Sequence, residues 1–115
     1  MASYWLIMEI VINGIPWKIK FINKANRNLQ RYDGSYTVGM TDNRQITIFL
    51  YDGLDGSFLY KVFCHELVHA FCFSYGLKFD MEEEERLADF IATYGKDIFE
   101  MTDEVIGHML KIRIA

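Results

Sequence analysis

From Phe58 to Tyr75 no glycine or proline interrupts the chain, whereas residues 1–56 carry five of the eight glycines and the single proline. A break-free, largely apolar stretch between Ser57, a capping residue type, and Gly76, a natural terminator, predicts a helix. The front half is punctuated instead. Met8–Ile12 is a β-rich run ending at Asn13-Gly14, a strong hairpin signal. Trp17, Ile19 and Phe21 alternate with Lys18 and Lys20, the period of a half-buried strand. Asn23–Asp33 is a polar connection, irregular or briefly helical. Asp33-Gly34 turns into a short strand, Tyr36–Met40, and Thr41–Arg44 turns into the strongest strand, Gln45–Tyr51. There Ile46, Ile48 and Leu50 share one face and Thr47, Phe49 and Tyr51 the other. Behind the first helix, Asp80 and Glu83 form a capping-box pattern for a second, which Gly95 is expected to close. Thr102 is placed to cap a third, with Val105, Ile106, Met109, Leu110 and Ile112 as its apolar stripe. Strands first and helices after predict an α+β domain: a small, mostly antiparallel N-terminal sheet packed on two or three helices, one domain over 1–115.

At 115 residues and 51% hydrophobic content the chain can bury a real core but has no length for a second domain. No apolar run reaches the roughly 18 residues of a membrane span. A net charge of −4 without a basic cluster speaks against nucleic acid as a partner. Cys64 and Cys72, eight positions apart on one helix, stand about 12 Å apart along its axis and cannot bridge each other. Free thiols and the lack of a basic leader or small-residue cleavage site lead us to expect a cytoplasmic protein. Met8 leaves open whether Met1–Ile7 precedes the domain proper.

The chemistry concentrates in His65-Glu66-Leu67-Val68-His69. Residues four apart share a helix face, so both imidazoles can reach one metal ion, and Glu66 can reach a water on that ion as general base. Catalytic zinc needs a third protein ligand and one open position. Glu82 to Glu85 supply the candidates. Glu85 shares a helix face with Ala88, Asp89 and Ala92, whose small side chains permit the close approach that a shared metal requires. Glu84 lines up with Leu87, Ala88 and Ile91, a bulkier stripe. Glu85 is therefore the expected third ligand, with Glu84 in reserve. Asp89, one turn on, is placed to accept the second ring N–H of a ligating histidine. Tyr75, Tyr94 and His108 are candidate oxyanion donors, and the sequence does not choose among them.

These residues resemble a family. H-E-x-x-H at His65–His69 followed by E-x-x-x-D at Glu85–Asp89 is similar to the gluzincin pattern. The small size and strand-rich front half are most similar to the ImmA/IrrE-type metallopeptidases and their short phage and mobile-element relatives. The likeness covers about Gln45 to Gly95. It implies a zincin-like minimal core, zinc held by His65, His69 and Glu85, catalysis by Glu66, Asp89 behind a ligand, and a protein or peptide substrate, in several members a regulatory protein. Fifteen residues separate His69 from Glu85, so the connection Ser74–Asp80 must be tight. The SprT-like alternative wants a histidine as third ligand, and none follows nearby. The expected activity is that of a narrow-specificity zinc endopeptidase. The competing readings are a non-catalytic, zinc-braced interaction module and metal-assisted hydrolysis of something other than a peptide. Gln45–Tyr51, just before the site helix, is either a sheet edge beside the metal, able to pair with an extended substrate, or an inner strand.

Overall fold

The computed structural model describes residues 4–114, with side chains described from Met8 to Ile112. Asn13 and Gly14 both take positive φ (49° and 78°), the requirement of a two-residue hairpin turn. They join β1 (Tyr4–Ile12) to β2 (Ile15–Ile22) as an antiparallel pair. The β1 backbone runs back to Tyr4, so 4–7 belongs to the sheet. A connection with one 3-10 turn, Arg27–Leu29, leads to β3 (Gly39–Asp42), which pairs antiparallel with β4 (Thr47–Tyr51). In the turn between them, the Asp42 carboxylate accepts from the backbone N–H of Arg44 and Gln45 and from the Gln45 side chain.

The two antiparallel pairs join through a parallel one, Lys18 opposite Thr47 to Ile22 opposite Tyr51. The strand order is β1-β2-β4-β3. The sheet is therefore mixed, a departure from the mostly antiparallel expectation only at this seam. It also decides the place of the strongest strand. β4 is an inner strand, and the edges are β1 and β3, of which β3 neighbours β4. Burial explains this: Ile48 and Leu50 pack towards the helices while Phe49 packs beneath Ile22 and Leu29 on the other face. A strand covered on both faces belongs inside a sheet.

Helix α1 (Gly56–Ser74) covers one face, over Ile12, Trp17, Ile19, Ile48 and Leu50. It begins one residue before the expected cap. Gly56 takes φ +55° at the helix start and Asp55 is the N-cap residue, so Ser57 lies inside the helix and caps nothing. Gly76 ends it as expected: at φ +66° it lets Leu77 N–H reach Cys72 O and Gly76 N–H reach Phe73 O, closing the last turn. The hairpin pins this end of α1, because the buried Trp17 Nε1 donates to Ser74 Oγ (2.7 Å) and Asn13 Nδ2 donates to Ser74 O (2.9 Å).

Helix α2 (Met81–Ile114, 34 residues) opens with the full capping box: Glu83 N–H donates to Asp80 Oδ1 (2.8 Å) and Asp80 N–H to Glu83 Oε1 (3.1 Å). Gly95 does not close it, and among the described residues there is no separate third helix. Ala88, Ala92 and Gly95 are buried at helical spacing, and a Cβ at Gly95 would meet only Ile91 of its own helix. Thr102, expected as a cap, donates instead to Ile98 O one turn back (2.8 Å), a bond available only inside a continuing helix. Among the described residues, no helix is long and apolar enough to cross a membrane.

Candidate metal centre

The site lies where α1, the start of α2 and the edge strand β3 meet. His65 and His69 project from one face of α1, with Nε2 atoms 3.3 Å apart. Glu85 of α2 faces both, Oε1 2.7 Å from His69 Nε2 and Oε2 3.3 Å from His65 Nε2. The small stripe Ala88–Ala92 and the short turn after Gly76 hold the two helices close enough for this. The far side of each ring is also engaged: His65 Nδ1 lies 2.8 Å from Asp89 and His69 Nδ1 2.5 Å from Glu84.

Those outer carboxylates decide what the inner atoms are. A carboxylate accepts from a protonated Nδ1; in a neutral ring this leaves Nε2 as a lone pair, and in an imidazolium Nε2 carries a proton as well. With neutral rings, two lone pairs and a carboxylate converge on one point, which either a metal cation or a proton on His69 Nε2 relieves. Ligands about 2.0–2.1 Å from a tetrahedral zinc stand about 3.3 Å from one another, which matches the Nε2 separation seen here. His65, His69 and Glu85 thus form a set that could hold a metal ion. Burial alone would disfavour a charged His69, but the hydrogen bond to Glu84 and the charges of Glu66, Glu85 and Glu84 outweigh it, so its proton affinity is raised. The same field favours a metal cation. Glu85 is 52% exposed against 17% and 15% for the histidines, so the open side of the set faces the cleft.

Glu66 sits beside the histidines and reaches towards β3. Thr41 Oγ1 lies 2.9 Å from Glu66 Oε1 and 2.9 Å from Glu66 O, so one hydroxyl holds both the side chain and its own backbone carbonyl. Burial raises the Glu66 carboxyl above its ordinary value; Thr41 and the two histidines oppose this without cancelling it. Gly39 makes room for the second oxygen, since a Cβ there would stand 3.2 Å from Glu66 Oε2. The cleft, about 670 Å³, is walled by Thr37–Thr41 on one side and by α1 and the start of α2 on the other.

The structure thus brings His65, Glu66, His69, Glu85 and Asp89 together. Glu84, held in reserve as a ligand, instead orients His69. Tyr75, Tyr94 and His108 do not line the cleft; Arg31, Asn43 and Lys61 do. Thr41 and Arg31 had no sequence signal, because only the strand order brings 31–43 against α1; Lys61 had one, standing a turn before His65 on the same helix face. Glu84 had one: two ligand histidines a turn apart need two outer acceptors, and Asp89 can serve only one. Cys64 and Cys72 are free thiols. Burial raises both, and for Cys72 the neighbouring Glu84 adds to it. Set against protein-family profiles, curated proteins and solved structures, the chain matches none of them.

Proposed function

We propose that this protein is a zinc-dependent metallopeptidase, a narrow-specificity endopeptidase that cleaves a regulatory protein, as the resemblance to ImmA/IrrE-type enzymes implies. The observation that carries the reading is the convergence of two Nε2 atoms and one carboxylate beside a buried, separately held glutamate. Zinc bound there supplies Lewis-acid chemistry, drawing the pKa of water towards about 7 and polarising a carbonyl.

The chain's own residues supply the rest. Glu66 Oε1 is held by Thr41, which leaves Oε2 to take the proton of the attacking water. Its burial suits both halves of that task, because a carboxylate with raised proton affinity takes the proton and then delivers it to the leaving amine. Glu84 and Asp89 keep both imidazoles in the orientation and tautomer that ligation needs. The role of edge strand passes from β4 to β3, which walls the cleft and is positioned to pair with an extended substrate. The rim cations Arg31 and Lys61 are the nearest candidates for stabilising developing negative charge.

The test is Glu66→Gln on zinc-loaded protein, assayed against a denatured-protein substrate and a peptide library. Zinc should be retained and cleavage should fall by about 10²–10⁴-fold, the usual contribution of a general base. Activity within a few-fold of the unaltered protein would overturn the assignment. A closed site with four protein ligands would favour the zinc-braced interaction module.

A further inference from the structure

The cleft over the metal centre is charged unevenly from end to end. A Cβ at Gly39 would meet Val62 and Glu66, and Thr41 Oγ1 reaches Glu66 O, further along α1. β3 therefore runs beside α1 in the same direction, and the residues ahead of Gly39 lie towards the N-terminal end of α1. Arg31 belongs with them, because Thr37 N–H donates to Leu29 O and Gln30 pairs with Tyr36. Lys61 and Phe58 stand at the same end, one and two turns before His65 on α1, and all three side chains line the cleft.

The acids are placed differently, around the metal ligands, and each is engaged. Glu66 meets Thr41, Glu84 meets His69, Asp89 meets His65, and Glu85 meets both histidines. The cations are not. Lys61 is the single Lys or Arg of α1. Among the described residues, neither its ammonium nor the Arg31 guanidinium lies within 4.0 Å of a carboxylate. Asp33, whose carboxyl feels the Arg31 charge, has its Oδ1 taken by the backbone N–H and hydroxyl of Ser35.

We propose that Lys61 and Arg31 form a specificity subsite for an acidic side chain of the substrate, on one side of the scissile bond and about two residues from it. This rests on the peptidase reading above and names the substrate that reading lacks. The spacing follows from the helix. Four residues separate Lys61 from His65, about 6 Å along the axis, and an extended peptide advances about 3.3 Å per residue. An Asp or Glu side chain there meets two cations without a carboxylate partner, a charge-assisted contact. A Lys or Arg side chain meets like charge, and a neutral one gains nothing from either cation.

The test reads a ratio of substrates, so it does not depend on how far any variant lowers the absolute rate. Zinc-loaded protein digests a random decapeptide library and the products are sequenced by mass spectrometry. Asp and Glu should be enriched two or three residues from the cut, on one side only. A peptide with Glu at that position should be cleaved with kcat/KM about tenfold above its Gln counterpart, the scale of two partly screened ion pairs. In 1 M salt the Debye length is about 3 Å, and the ratio should fall to about two or less. Lys61→Met with Arg31→Met should bring the ratio to about one. Lys61→Glu with Arg31→Glu should favour Lys over Glu. A ratio of one in the unaltered protein would overturn the proposal. So would a Glu preference that survives both double variants, because the carboxylate then binds the metal. A loss shared equally by the Glu and Gln peptides would assign the cations to the developing charge alone and overturn it too. No cleavage of any peptide refutes the peptidase reading instead. The same peptides, fluorescently labelled, then test the subsite by anisotropy: a tenfold tighter Kd for Glu supports it, and equal Kd values overturn it.

Discussion

Replacing Gly39 with alanine sets two effects against each other, and the structure says which wins. A glycine in a strand costs about 0.5–1 kcal/mol relative to alanine, so an unhindered substitution would stabilise. Here the added Cβ would stand 2.8 Å from Val62 Cγ1 and 3.0 Å from Glu66 Cγ. Both neighbours are branch or mid-chain atoms of helix residues, unable to swing away as the tip of a long side chain would. Overpacking of this kind costs about 1–3 kcal/mol. The balance is a loss of about 1–2 kcal/mol, and at about 4 °C per kcal/mol for a chain of this size the melting temperature should fall by about 4–8 °C. Differential scanning calorimetry of the metal-free protein measures it. Adding Val62→Ala should recover part of the loss, with a coupling of about 1 kcal/mol between the two sites. Cleavage should fall in the single variant beyond what stability explains, because Glu66 is pushed from its place. A rise in melting temperature, or strict additivity with Val62→Ala, would show that the edge strand does not lie against the site helix as described.

Two further outcomes follow from the carboxylates. Glu84→Ala removes the acceptor behind His69 and should weaken zinc binding by about 10–100-fold in a competition titration with a chromophoric chelator. Asp89→Ala should cost less, because Asp89 is 69% exposed against 25% for Glu84, and water substitutes for it more readily; an equal or larger loss for Asp89→Ala would refute this ranking. For Glu66 in metal-free protein the sign runs against the usual carboxylate. Burial raises its folded value above the ordinary 4.5, so the folded state holds the proton more tightly than the unfolded chain. Its contribution is intact below 4.5 and declines as pH rises through the folded value. Metal-free Glu66→Gln should therefore be more stable than the unaltered protein at pH 7 and no more stable at pH 4. A difference independent of pH would contradict the burial argument.

Where one residue type has one inexpensive local solution, the structure was legible in the sequence. Asn13-Gly14, Gly76 and the pair Asp80 and Glu83 did as a hairpin turn, a helix terminator and a capping box do. That Glu85, and not Glu84, faces both Nε2 atoms was also legible, because adjacent helix residues point about 100° apart and the Ala88–Ala92 stripe marks the face that approaches α1. Gly95 misled because a glycine ending a helix and a glycine inside a continuing one look alike in one dimension. Thr102 misled in the same way, its hydroxyl being satisfied within the helix. The inner place of β4 depends on a parallel crossover that no local pattern encodes. With it went the identity of the edge strand, and so of Gly39 and Thr41 at the site.

The central claim is that His65, His69 and Glu85 hold a zinc ion with one position left open. X-ray absorption spectroscopy on protein reconstituted with one equivalent of zinc, beside the His69→Ala variant, tests it most directly. The expected shell is two nitrogens and one carboxylate from the protein at about 2.0–2.2 Å, with a water completing it. The variant should lose one nitrogen and most of its affinity. A sulfur in the shell, four protein ligands, or zinc bound equally well without His69 would contradict the account.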